Sequence, residues 1–163
     1  MIRLMRLADI PRVAEIHVFG WRSAFLGIVS DEVLFGRMSV LRSVKRFESS
    51  LDSGDYGENY VFDDGLIKAF MVVSPCRDED KPDAFELGAI YVEPLMKQQG
   101  IGSALVKFCK KIAVQRGYRE ICLWTLEENH ASRRFYEKMG FTLDGTRKFL
   151  ENIQAMAVRY VKM

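Results

Sequence analysis

Histidine and cysteine are scarce in this chain, and neither is arranged to hold a metal. The 163 residues include two histidines, His17 and His130, and three cysteines, Cys76, Cys109 and Cys122, with no CxxC spacing. Zinc and disulfide frameworks look different, so no metal is expected and the thiols are expected reduced, two of them packed in core elements. No stretch approaches the roughly 18 apolar residues of a membrane helix. The N-terminus also lacks the apolar run of a signal peptide. The expectation is a cytoplasmic protein with no membrane partner. An excess of one charge is missing too. With 24 Lys plus Arg against 22 Asp plus Glu, the balance argues against a chain that coats nucleic acid. Repeats, low-complexity tracts and linkers are absent. What remains is ordinary for one globular domain spanning 1–163, at 48% hydrophobic and 28% charged residues, with enough chain to bury a core unaided.

Periodicity orders that domain. Ile2 to Arg6 alternates as a short strand. Asp9 and Pro11 mark a helix start, and the helix breaks near Gly27. Asp31 opens a short helix, and a third helical run passes through Leu41, Val44, Phe47 and Leu51. Asn59–Phe62 and Leu66–Val73 flank Asp63-Asp64-Gly65 as a hairpin. Phe85–Val92 reads as a strand, Gly100 to Gly117 as a helix, Ile121–Trp124 as a strand and Asn129–Met139 as a helix, with two strands to finish. A β-rich middle followed by βαβαβ predicts an α/β or α+β sheet of mixed direction.

Two segments carry chemistry. Lys97-Gln98-Gln99-Gly100-Ile101-Gly102-Ser103 lies between a strand and a helix. Its glycines let backbone approach a ligand, and the helix start offers unpaired N–H groups and a partial positive charge, which suit phosphate. A third glycine for a dinucleotide fingerprint is missing at Leu105, and the GK of a Walker loop is absent. A turn that binds nothing is the plain alternative. The second segment runs from Asn129 through Tyr136 to Gly140-Phe141. Asn129 suits an N-cap, while Tyr136 is either packing or a phenol placed to act as an acid.

Together, Gly100–Leu105 and Asn129–Phe141 resemble the acyl-CoA-binding motifs of the GCN5-related N-acetyltransferases (GNAT family). The element order agrees along the whole chain, and Lys97 departs from the family's usual Gln or Arg. The resemblance implies a mostly antiparallel central sheet flanked by helices, with a splayed strand pair forming the acyl-CoA slot. It implies acetyl-CoA as co-substrate, its pyrophosphate on the N–H groups around Gln98 to Ser103 and its pantetheine arm along Ile90, Tyr91 and Val92. Asn129, with Ser132, would face the arm, and Arg133, Arg134 and Lys138 the nucleotide phosphates. Tyr136 matches the family's general acid. Glu86 resembles the glutamate base of the histone-acetylating branch, and Glu127, Glu128 or water are the alternatives.

The acceptor would be the primary amine of a small molecule or of a peptide, which attacks the thioester directly in a ternary complex; a non-catalytic acyl-CoA sensor is the other reading. Trp21, Phe25, Tyr56 and Tyr60 are candidates for the acceptor wall. A homodimer through Met156, Val158 and Tyr160 is possible, although these residues could equally pack inside one chain.

Overall fold

The computed structural model describes residues 1–54 and 57–163. Seven strands form one sheet: β1 (Ile2–Leu4), β2 (Glu58–Asp63), β3 (Ile67–Pro75), β4 (Ala84–Val92), β5 (Glu120–Leu126), β6 (Thr142–Leu150) and β7 (Ala155–Lys162). Their order is β1-β2-β3-β4-β5-β7-β6. Every neighbouring pair is antiparallel except β4 with β5. The expected mixed, mostly antiparallel sheet is what forms. Because β7 is interior to the sheet, Val158 and Tyr160 are buried within the chain.

Helices α1 (Ile10–Phe25), α2 (Val40–Ser53), α3 (Ile101–Gln115) and α4 (His130–Lys138) cover the sheet. Alternation along the strands sorts the core into two layers. Val61 and Phe70 pack with Ile10, Val13 and Phe47 of α1 and α2. Tyr60, Met71, Val73 and Phe85 pack with Leu105, Cys109 and Ile112 of α3. A third cluster joins Phe25, Val29 and Leu34 to Leu126, Ile153 and Ala157. Between α1 and α2 lies a six-residue π-helical segment, Glu32–Arg37, where the spacing predicted a short helix.

Asp9 occupies the position before α1 but does not cap it. Its carboxylate turns back to Arg3, at 2.6 and 3.0 Å, and accepts from the Arg6 N–H at 2.7 Å. A guanidinium offers that buried carboxylate two charge-assisted bonds, a better partner than the helix end.

Strand β4 positions the site. On its β3 side it pairs from Phe85 to Val92, but the register slips between Val72 and Val73, where Val73 opposes Leu87 and Val72 opposes Ala89. Gly88 is therefore the extra residue of a β-bulge. Before it Phe85 and Leu87 face α3; after it Ile90 and Val92 do, and Tyr91 packs with the α1 layer. One added residue reverses the strand's facing and bends it. On its other side β4 pairs with β5 only through Ala84, Phe85 and Glu86. Beyond that point β5 stays with β7, with Trp124 opposite Arg159 and Leu126 opposite Ala157. The two parallel strands thus fork at the bulge.

Candidate active site

A cleft of about 750 Å³ opens in that fork. Leu87 through Val92 form one wall, Trp124, Thr125 and Leu126 the other, and Lys97, Gln98, Gly100 to Ser103, Asn129, Ser132 and Tyr136 its mouth and floor. Past the fork, neither facing edge is hydrogen-bonded to the other strand, so unpaired backbone groups line the gap. A buried backbone polar group without a partner costs free energy. An extended polar chain entering the gap would satisfy these groups as an added strand does.

The start of α3 faces the same space without a cap. Gly100 has φ +78 and no side chain to offer, and no side-chain bond closes this end. The first turn also carries no acidic residue. Its leading N–H groups and the positive end of a 15-residue helix are therefore left for a ligand. Gln98 is held at φ +66, a left-handed conformation that costs a non-glycine residue on the order of 1 kcal/mol. A Cβ added at Gly102 would sit 3.3 Å from the Phe135 ring, so α3 and α4 approach closely beside the phosphate-suited loop. Lys97 reaches across the mouth and donates to Ser23 Oγ of α1 at 2.9 Å.

Asn129 caps α4, its Oδ1 accepting from the Ser132 N–H at 3.2 Å. It is also buried and lines the cleft. Tyr136, about two turns further on, is 8% exposed and lines the cleft beside Phe135. Burial pushes its phenol up from the usual value, so it keeps its proton. Tyr91 is pushed up by burial too; its ring stacks on Phe70 and meets the His17 edge.

Of the residues singled out in the sequence, Ile90, Tyr91, Val92, Lys97, Gln98, Gly100, Ile101, Gly102, Ser103, Asn129, Ser132 and Tyr136 meet at this cleft. Gln99 and Arg133 do not line it. Arg133 is instead committed to the Tyr160 hydroxyl at 3.1 Å and the Glu127 carbonyl at 3.0 Å. Glu86 is not in the cleft either. It lies in the paired part of β4, is 7% exposed, and both its oxygens accept from Arg77, at 3.0 and 3.1 Å. Glu127 is held by Arg147 at 2.5 Å, and Glu128 is exposed.

Trp21 and Phe25 do line the cleft, as expected for the acceptor wall. Tyr60 packs instead in the core against Phe108 and donates to Glu58, and Tyr56 lies outside the described residues. Sequence reasoning missed Trp124, Leu150 and Ile153. Trp124 lies within β5, Leu150 ends β6 and Ile153 is in the turn that follows, and no local signal announces that they gather near the end of α1.

A model of the acetyltransferase (GNAT) family matches residues 29–141. The chain belongs to that family. Membership places it among acetyl-CoA-dependent N-acetyltransferases, and the sequence resemblance is borne out. Similar proteins include a probable N-acetyltransferase of Mycobacterium tuberculosis, 28% identical over 88% of this chain and 80% of its own. A spermidine N(1)-acetyltransferase of Thermoplasma acidophilum is 24% identical over 89% of each chain. Among solved structures, a PaiA N-acetyltransferase from Thermoplasma acidophilum, in complex with coenzyme A, has the same fold. Its TM-score is 0.76 at 21% identity, over 98% of this chain and 96% of that one.

Proposed function

We propose that this protein transfers the acetyl group of acetyl-CoA to the primary amine of a small molecule, by direct attack within the forked cleft. The observation that carries this reading is the uncapped start of α3 at the mouth of a fork with unpaired strand edges. One binds phosphate and the other the amide-bearing arm, the two features that recognise coenzyme A. The arm would lie along Ile90 to Val92, with the Asn129 side chain opposite it.

The amine attacks as its neutral form and builds negative charge on the thioester oxygen, which free N–H groups of the β4 edge are placed to receive. The Tyr136 O–H, kept protonated by burial, donates to the sulfur as the thiolate leaves. No carboxylate among the described residues lines the cleft, so water carries the amine proton away. That same lack bears on the acceptor. Trp21, Phe25, Trp124, Leu126, Leu150 and Ile153 give its far end an apolar wall, with nothing to neutralise the several charges of a polyamine. An amine borne on an apolar body fits this wall.

Calorimetric titration with acetyl-CoA tests the cofactor. We expect binding in the micromolar range and at least about a 100-fold loss, roughly 2.7 kcal/mol, in a folded Gly102→Asp variant. Equal binding by that variant would move the site elsewhere. For the acceptor, kcat/KM for phenethylamine-like monoamines should exceed that for spermidine by about 10-fold or more, roughly 1.4 kcal/mol. The reverse order would overturn the apolar assignment.

A further inference from the structure

Just beyond the apex of the fork, two thiols meet. Cys122 lies on β5 directly opposite Glu86. Cys76 follows the end of β3, and its N–H donates to the Ala84 carbonyl at 2.9 Å. On this face the residue of β4 beside Cys76 is Ala84, a side chain too small to separate the pair. The sulfurs are 2.9 Å apart, the Cys122 thiol donating to Cys76 Sγ. Cys122 is buried and Cys76 half-buried, so Cys76 is the more exposed residue of the pair. Neither lines the cleft, and acetyl transfer uses neither.

The Asp78 carboxylate completes a group whose donor atoms lie within 4.8 Å of one another, an arrangement open to a soft metal as well as to oxidation. Distance separates the two. Thiolates sharing a tetrahedral zinc, each about 2.3 Å from it, stand about 3.8 Å apart, so these sulfurs would have to part to admit an ion. A disulfide bond of about 2.05 Å lies the other way, a closure of under ~1 Å. Asp78 is also committed, its Oδ2 accepting from Trp124 Nε1 at 2.8 Å and Arg159 at 3.0 Å.

We propose that Cys76 and Cys122 form a dithiol modification site that closes into an intramolecular disulfide by exchange with a low-molecular-weight disulfide. The Cys76 thiolate attacks one sulfur of the small disulfide; that S–S bond breaks, and the first small thiolate leaves and takes a proton from water. Cys122, having given its proton to solvent, then attacks Cys76 Sγ in the mixed disulfide. The Cys76–Cys122 bond forms and the second small thiol is expelled. The protein loses two electrons and two protons, and the small disulfide becomes two thiols. Burial pushes the Cys122 thiol up, so it stays protonated while the less buried Cys76 takes the first step. Cys109, inside α3, is pushed up to about 12 by burial and stays a thiol.

The bond would join positions 46 residues apart. It would pin the loop whose Asp78 holds the Trp124 ring on the cleft wall.

Incubating the native chain with oxidised glutathione, then alkylating in denaturant and weighing the products, tests the site. We expect free thiols to fall from three to one, a mass lower by two hydrogens, and a linked Cys76–Cys122 peptide. The melting temperature should rise by roughly 5–10 °C, from the constraint on the unfolded chain. Cys122→Ser should stop at a glutathione adduct on Cys76, and Cys76→Ser should yield no linked peptide. A persistent adduct on wild-type Cys76, three unreacted thiols, or stoichiometric zinc that shields both sulfurs would each overturn the proposal.

Discussion

Two polar regions meet at Trp124, and they differ in whether their groups have partners. On one side Arg159, whose side chain is 3% exposed, gives every N–H direction to an acceptor. It bonds Asp144 at 2.7 Å, Asp78 at 3.0 Å, Asp80 at 2.7 and 2.5 Å, and Thr146 at 2.9 Å. On the other side the cleft presents strand edges and a helix start whose N–H groups have no acceptor among the described residues. Satisfied groups hold a structure together, because each would be costly to leave unmade. Unsatisfied ones, gathered in a concave space, await something else. Partner status, more than polarity, separates scaffold from site here.

The largest expected effect tests the scaffold side. Arg159→Met leaves Asp144 largely buried without its cation, and breaking such a pair costs about 3 kcal/mol. Denaturant unfolding should show that loss, while the KM for acetyl-CoA of the remaining folded protein stays within about twofold. A guanidinium bond lowers the Asp80 carboxyl below its ordinary 3.8, so its contribution is present above that value and is lost as pH falls below it. Stability of the wild type should therefore drop more steeply on acidification than that of the variant. A variant that is stable yet inactive would erase the distinction between the two sides.

Next comes the cleft. Tyr136→Phe removes a proton donor and keeps the ring that packs on Phe141 and Phe135. We expect kcat to fall about 100-fold, roughly 2.7 kcal/mol, with acetyl-CoA affinity and melting temperature little changed. A loss of stability instead would make Tyr136 part of the scaffold.

Much of this was legible in the sequence, and the limits have physical causes. The hairpin at Asp63-Asp64-Gly65, the glycine before α3 and the cap at Asn129 act through neighbours within four residues, and each was read correctly. The bulge at Gly88 was not. A lone glycine in a strand marks a bulge only when the partner strand's register is known. The bulge decides which residues face the fork and how far β4 and β5 stay paired. Arg159 was equally invisible, since an arginine on a terminal strand looks like surface charge until a loop about 80 positions away and strand β6, about 15 away, supply its carboxylates. His17 is a milder case. Its neutral ring, pushed down to about 3 by burial and then by Arg46, sits between Ser43 and Arg46, both at 3.1 Å. Sequence alone argued against a histidine metal site but could not place this ring in the core.

The smallest expected effect is the sharpest test of the comparison, because the sequence offered Glu86 as a base and the fold sets it among the partnered groups. Strand alternation put its carboxylate on the face away from Phe85, and that holds. It does not follow that the carboxylate reaches the reacting amine, and Arg77 occupies both its oxygens before the fork opens. Glu86→Gln keeps an acceptor for a guanidinium that is itself 64% exposed, so stability should change by less than about 1 kcal/mol. Under the proposed water relay, activity should stay within about twofold, and log kcat/KM should still climb with pH toward the acceptor amine's own pKa. A general base at this position would instead cost about 100-fold or more and remove one limb of the pH profile. That outcome would require the β4–β5 pairing to open further than Glu86, and would move a satisfied group into the working side of the molecule.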